Sequence, residues 1–421
     1  MYRGYCRRTK KPPANILEFR TGYLVKILIA GGGVGGLTAA LCLHEAGHEV
    51  RVFERASIFE DAGAGIQLAA NATRVLDSLG LLPKLNNLAV APESIDIREF
   101  DTGDLLYQSP LGAAYQHRYR APYYHLHRSD LLETLVAELL RRSPDSLQFG
   151  ATVTKYTESA TNVAAQLENG VIEYGDCLVV ADGIRSSVRT QMLGNTPVQW
   201  TGNVAWRGVF DATQLDDNFM GKVVTNFVAH KKHMAVYYVR SQKAINFVGV
   251  VESRNWSNDS WVQKSPYKDL KADFSGWNKV VQTVIERTPA DQCYRWALHD
   301  YQPLDRWSSK RVTLLGDAAH ASLPFLASGA AMAIEDARIL QRALEGFDLS
   351  NSEMLSRALD KYQRNRLSRT ARVQKRSRQA GLLYHLPGRL LRRVAFKALN
   401  MRAGENERFL PEYDANTIPL V

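Results

Sequence analysis

The feature that most constrains this chain is a run of glycines set between a strand and a helix. Residues 25–30 read as an apolar strand. Gly31, Gly32, Gly33, Val34, Gly35 and Gly36 follow, and then a helix of small side chains, residues 37–46, ended by Gly47. Glycines at 31, 33 and 36 form a GxGxxG pattern. It permits a tight turn and lets the backbone approach a pyrophosphate, which rests on the free N–H groups at the helix start. Residues 49–54 alternate, with Val50, Val52 and Phe53 apolar, and end at Glu54. A carboxylate there is placed to accept hydrogen bonds from a ribose 2′-OH. Strand, turn, helix and strand make a βαβ unit, which calls for a parallel sheet. Together these features read as a dinucleotide site, not a structural turn, but they do not choose between NAD and FAD.

Two later stretches repeat the logic of a buried strand that ends in a polar turn. Cys177-Leu-Val-Val-Ala-Asp182-Gly183 leads into Arg185, Ser186, Ser187 and Arg189. Alone it is a common strand-to-helix turn. The other is Arg311-Val-Thr-Leu-Leu-Gly316-Asp317-Ala-Ala-His320, which continues through Pro324 and Ser328 to Gly329, Ala330, Ala331 and Asp336. Asp317 can hydrogen-bond the hydroxyls of a polyol such as a ribityl chain. The helix predicted over residues 329–345 begins with very small side chains, and its free N–H groups and positive dipole end suit an anion. A reduced flavin carries negative charge on one edge, so this element fits FAD and not NAD.

At 421 residues the chain suits two domains, or one with a large insertion. The net charge of +10 is unevenly spread: residues 1–26 carry +6, residues 361–404 carry +13, and the rest −9. An acidic body with basic ends argues against a nucleic-acid binder. The basic C-terminal run is helix-like, and its charges are expected to form a solvated face in preference to a membrane or polyanion contact. No apolar run approaches the roughly 20 residues that span a bilayer, so a soluble, cytoplasmic protein is expected. The four cysteines form no CxxC pair, and no metal site is expected. The first 24 residues, with Pro12 and Pro13, read as a flexible extension. A further helix is expected to start near residue 129, capped by Ser129 or the residue before it.

The three motifs, in this order and spacing, resemble the class A flavin monooxygenases over about residues 25–380. Within that family the sequence is most similar to the salicylate hydroxylase and 3-hydroxybenzoate 6-hydroxylase branch. The stretches that carry this are Gly63-Ala-Gly-Ile-Gln67, His127-Arg128-Ser-Asp130-Leu, residues 301–307, and residues 316–336. The resemblance implies an α/β fold: a Rossmann-like FAD-binding domain interrupted by a mostly antiparallel β-sheet substrate domain, with a helical C-terminal part. Residues 25–95, 122–196 and 300–375 would form the FAD domain, 96–121 and 197–299 the substrate domain, and 376–421 a C-terminal helical segment. Gly31, Gly33, Val34, Gly35, Gly36, Glu54 and Arg55 would hold the ADP half of FAD. Arg128 would contact the cofactor near the flavin, and Asp182 would belong to a motif shared between FAD and NAD(P)H. Asp317 would bind the ribityl chain or pyrophosphate. Pro324, Gly329, Ala330 and Ala331 would border the flavin ring. Ser328 departs from the pattern, since many relatives carry Gln there.

The implied reaction uses NAD(P)H and O2 to hydroxylate a small aromatic substrate through a C4a-hydroperoxyflavin. That oxygen donor is electrophilic, so a base that ionises a phenol assists it. His233 and Tyr237 fall where relatives place a His and a Tyr beside the substrate. His233 is either that base or a structural histidine, one of ten in the chain. His320 reads as structural. Trp206 and Arg207 either line the pocket or bind a carboxylate, although a Trp on a strand is more often core. A homodimer is compatible with the sequence. The rival functions are an FAD-dependent oxidase or reductase of the same fold, and a non-catalytic nucleotide-binding module.

Overall fold

The computed structural model describes residues 24–58, 64–194, 198–216, 219–253, 262–290, 293–401 and 408–421. Residues 1–23 and Gly63 lie outside the described residues. The first sheet is parallel and has five strands, in the order Val312–Leu314, Cys177–Val180, Lys26–Ala30, Glu49–Glu54 and Leu147–Phe149. Its central strands are short apolar runs because helices cover both faces, and a strand buried on both sides needs no alternation. The Val34–Glu45 helix packs on the Gly329–Leu344 and Arg128–Arg142 helices. All five strands run the same way, so Gly31, Glu54, Asp182 and the turn to Asp317 gather at their carboxyl ends. This is where open α/β sheets bind ligands.

The second sheet has eight strands, in the order Val262–Lys264, Tyr294–Asp300, Gln199–Asp211, Ala244–Glu252, Lys232–Val239, Val223–Ala229, Ser94–Glu99 and Leu105–Pro110. Every pairing in it is antiparallel except that of Val223–Ala229 with Ser94–Glu99. One face covers an aromatic core of Trp206, Phe210, Phe227, Phe247 and Phe274. Trp206 therefore belongs to the core, and its indole N–H donates to Asp273 at 2.8 Å. This is the α/β fold with a mostly antiparallel second sheet and a helical C-terminal part that the sequence predicts.

Two sequence-based expectations need correction. The helix near residue 129 begins at Arg128, and His127 is the residue at its N-cap, without a side-chain cap bond. Ser129 lies inside the helix, where its hydroxyl instead meets His127 Nδ1 at 2.8 Å. The basic C-terminal run is also not simply a solvated face. Arg366, Arg369 and Arg392 are buried. Arg366, on the Ser352–Tyr384 helix, reaches Asp336 at 2.6 Å and Glu335 at 2.8 Å. Arg369 reaches Glu335 at 2.8 Å and lies over the Phe409 and Tyr413 rings. Asn71 Nδ2 donates to Glu335, and His320 Nε2 bonds Asp336, both at 2.6 Å. Burial alone would raise the Asp336 carboxyl, but His320 and Arg366 outweigh it and hold it at about 2. A run of like charges in sequence thus becomes a paired network that ties the last long helix to the Gly329–Leu344 helix. His320 is buried within this network.

Candidate active site

At the nucleotide end, each glycine answers a separate steric demand. Gly31 has φ +102°, and a Cβ there would meet the Ala181 carbonyl oxygen at 2.4 Å. A Cβ on Gly35 would press into Leu315 and Ala333 at 2.7 and 3.0 Å. Gly33 is different, because a Cβ on it would meet nothing within 4 Å. The helix that starts at Val34 has no side-chain cap and no acidic residue in its first turn. Its free N–H groups therefore open onto unfilled space, an arrangement suited to a pyrophosphate. Glu54 accepts the N–H groups of Gly32 at 2.7 Å and Ala56 at 2.8 Å, which fixes its carboxylate beside this turn. Arg55 is exposed next to it.

Two aspartates mark the path from the nucleotide cleft inward. Burial pushes the Asp182 carboxyl up to about 6, against Ser186, Arg189 and Arg55, and its Oδ1 is buried without a hydrogen-bond partner. Burial also raises Asp317, against the charges of His320, Arg128 and Arg207. Among the described residues the Asp317 carboxylate makes no hydrogen bond. Arg128 is exposed, its backbone N–H donates to Ala64 at 2.9 Å, and its charge faces Asp317. Ser328 is the N-cap of the Gly329–Leu344 helix but makes no side-chain cap bond. Its hydroxyl and that of Ser322 are buried without partners. Buried polar atoms are nearly always paired. Orphaned ones strung from Asp182 to Ser328 at an uncapped helix start fit a long polar ligand with an anionic ring edge, as FAD is.

Beyond Asp317 lies a cavity of about 860 Å³, within the range of small-molecule sites. Its wall includes Pro324, Gly329, Ala330 and Ala331 from the sheet-and-helix side, and Arg207, His233, Tyr237 and Asn246 from the eight-stranded sheet. His233 and Tyr237 are four residues apart on one strand, so the strand's alternation turns both to the same face. Tyr237 is held by Gln67 and Asn246, and burial pushes its phenol well above the usual range. Gly65 makes this fit possible, since a Cβ on it would meet the Tyr237 hydroxyl at 2.7 Å. His233 is buried among Phe325, Tyr384 and His385, with ring centroids 5.1 to 5.3 Å away. Burial and the neighbouring His385 lower its pKa well below that of a free imidazole. Arg207 has a buried Nε without a hydrogen-bond partner.

The cavity brings together Asp317, Pro324, Gly329, Ala330, Ala331, His233 and Tyr237. Gly31 to Gly36, Glu54, Arg55, Arg128 and Asp182 are not in its wall. Sequence reasoning missed Gln67 as a contact, Asn246, Phe325 and His385. Asn246 carried a weak signal, as a polar residue within an otherwise apolar strand. His385 carried none, because it reaches the site only through tertiary packing.

The profile of a family described as "FAD binding domain" matches residues 24–377. The chain is 36% identical over 362 residues to 3-amino-4-hydroxybenzoate 2-monooxygenase PtmB3 of Streptomyces platensis, which covers 86% of this chain and 89% of that protein. It is 32% identical over 374 residues to 3-hydroxybenzoate 6-hydroxylase of Polaromonas naphthalenivorans, covering 88% and 91%. A solved salicylate hydroxylase substrate complex superposes with a TM-score of 0.77 at 26% identity, covering 93% and 96%. With this family match over most of its length and a cleft and cavity that fit the cofactor, the chain belongs to the FAD-dependent aromatic monooxygenases, enzymes that draw on NAD(P)H.

Proposed function

We propose that this enzyme hydroxylates a small aromatic acid bearing a phenolic hydroxyl, with O2 as the oxygen source, and that His233 is the base that ionises the phenol. The observation that carries this reading is one continuous cavity bounded by Asp317 on the cofactor side and by His233, Tyr237 and Arg207 on the other. Bound FAD supplies the passage of two electrons from NAD(P)H to oxygen. The chain's own residues do the rest. Gly31 to Gly36, Glu54 and Arg55 hold the adenosine and pyrophosphate. Asp182, Arg128 and Asp317 take the middle of the cofactor, and Pro324 with Gly329 to Ala331 border its ring.

On the substrate side, His233 is neutral at physiological pH because its charged form is desolvated. It therefore presents a lone pair to the cavity and can accept a proton. Tyr237, held by two amides and kept protonated, orients the ring. Arg207 is a half-buried cation on the cavity wall with an unpaired Nε. A guanidinium with a free donor facing the cavity suits an anionic ligand, here the carboxylate of the aromatic acid. In keeping with this reading, residues 25–95, 122–196 and 300–375 act as the cofactor domain, and 96–121 and 197–299 as the substrate domain. No helix among the described residues is long and apolar enough to cross a membrane, and the cytoplasm is the proposed compartment.

The test is a screen of benzoates, phenols and pyridines for stimulated NAD(P)H oxidation with a matching oxygenated product. A hydroxybenzoate or hydroxypyridine carboxylate is expected to give both. Stimulation without product would favour an oxidase. His233→Ala is expected to lower product formation by ~10²–10⁴-fold, with the oxidised NAD(P)H recovered as hydrogen peroxide.

A further inference from the structure

His233 is an awkward base as it stands. A buried imidazole surrounded by aromatic rings receives a proton poorly and needs somewhere to send it. The second nitrogen supplies an exit. His233 Nδ1 lies 2.9 Å from His385 Nε2, and His385 Nδ1 lies 3.2 Å from Glu252 Oε1. His233 and His385 are buried, whereas the Glu252 side chain is 40% exposed. The three residues make an unbroken line from the cavity wall to water. They come from distant parts of the chain: the strand Lys232–Val239, the C-cap of the Ser352–Tyr384 helix, and the last residue of the strand Ala244–Glu252.

We propose that Glu252 and His385 are positioning residues that set the tautomer of His233 and carry the substrate's proton between the cavity and solvent. The proposal rests on the reading of His233 as the base. Which nitrogen of a histidine bears the proton is set by the bond its other nitrogen makes. The Glu252 carboxylate only accepts, so His385 Nδ1 must be the N–H that donates to it. That leaves His385 Nε2 as an acceptor, so His233 Nδ1 donates. His233 Nε2 is thereby left with a lone pair in the cavity, where a base needs one. Among the described residues no hydrogen bond occupies that nitrogen.

The transfer balances. The phenol O–H bond breaks and its proton goes to His233 Nε2. The Nδ1 proton of His233 moves to His385 Nε2, and the Nδ1 proton of His385 moves to Glu252 and on to water. Reprotonation of the product runs the sequence backward and restores both tautomers. Other charged groups around this line are few. His230 Nδ1 is 3.3 Å from the His385 carbonyl oxygen, and Lys231 Nζ is 3.9 Å from Glu252 Oε2. The Tyr384 phenol beside His233 is pushed up by burial and stays neutral. His385 sits at the carbonyl end of a 33-residue helix, whose dipole favours a cation there.

The test reads ionisation, not turnover. The FAD-loaded enzyme is titrated from pH 5.5 to 9.5 with 3-hydroxybenzoate or 3-amino-4-hydroxybenzoate, whichever perturbs the flavin spectrum at lower concentration. The ultraviolet difference spectrum then reports the bound phenolate. Glu252→Gln and His385→Phe are each expected to raise the ionisation midpoint by about one pH unit or more, and Glu252→Asp to restore it, all with one FAD per chain. If His233→Ala raises the midpoint while Glu252→Gln and His385→Phe leave it at the wild-type value, the path is wrong and the base stands. If His233→Ala does not move it, the base reading fails and the path fails with it.

Discussion

A Cβ atom on Gly36 would sit 1.9 Å from the carbonyl oxygen of Gly31, far inside any permitted contact. Gly33, three residues earlier, has open space around it and an extended backbone, φ −72° and ψ −177°, that any residue adopts. The two glycines should therefore fail differently. Gly36→Ala is expected to destabilise the protein itself by ~1–3 kcal/mol through a backbone clash. Gly33→Ala should leave the flavin-free protein melting like the wild type yet weaken FAD at least about tenfold, since its methyl occupies ligand space. Melts of flavin-free protein with FAD titrations check this. Equal loss of stability in both variants would contradict it.

Asp317 is exposed on the wall of the cavity with no hydrogen-bond partner among the described residues, so its worth should lie in the cofactor. Asp317→Ala is expected to lose most of its FAD on gel filtration. The flavin-free variant should melt close to the wild type, because an exposed side chain with no hydrogen bond to lose contributes little to the fold. The ratio of flavin to protein absorbance is the measurement. A variant that remains fully yellow would remove Asp317 from the site.

Asp182 gives a pH signature. Its folded-state pKa is about 6, above the ordinary 3.8 of an unfolded aspartate. The folded protein therefore holds the proton more tightly. This group's contribution is fully present below about pH 4 and is lost as pH rises through 6. Asp182→Asn is always neutral. It should melt at the wild-type temperature near pH 4 and above it at pH 8, both without flavin. A difference that is constant across that range would falsify the assignment.

Arg366 has two carboxylates to satisfy, both fully buried. Arg366→Met keeps much of the volume but removes a cation from both carboxylates, leaving Glu335 to Arg369 and Asn71 and Asp336 to His320 and the Gly316 N–H. A loss of ~1–3 kcal/mol at neutral pH is expected in chemical denaturation, since other partners remain on both carboxylates. Asp336 titrates near 2 when folded, below its unfolded value of 3.8. The stabilisation is therefore present above 3.8 and fades as pH falls towards 2. The gap between variant and wild type should narrow over the same interval.

How much of this was legible in sequence depended on range. The nucleotide turn was, because strand, glycines, helix and Glu54 lie within about thirty residues and each answers a local demand. The turns after the strands that lead to Asp182 and Asp317 were legible in the same way, though the Asp182 stretch alone reads as a common strand-to-helix turn and only the resemblance gave it a role. The helix at Arg128 was misplaced by its cap because Ser129, a good capping residue by type, instead bonds His127. The run from Arg364 to Arg378 read as solvated, since the carboxylates that bury Arg366 and Arg369 lie on another helix. His385 reaches His233 across about 150 residues of chain, and Glu252 reaches His385 across about 130. No periodicity encodes such meetings.

The strand Val312–Leu314 lies at the edge of the parallel sheet, on the far side of Cys177–Val180 from Lys26–Ala30, and six strands of the eight-stranded sheet fall in sequence between Cys177–Val180 and Val312–Leu314. The glycine turn thus emerges early in synthesis, while Asp317 and the Gly329–Leu344 helix arrive only after most of the chain has been made. A nascent βαβ unit alone offers half a grip, so the cofactor has to wait for the late strand to dock. Pairings of such long range fold slowly. Any ligand that binds only the finished arrangement also shifts the balance towards it in proportion to its concentration. Flavin supply should therefore set how much of this chain survives to be folded, quite apart from how much of it can turn over.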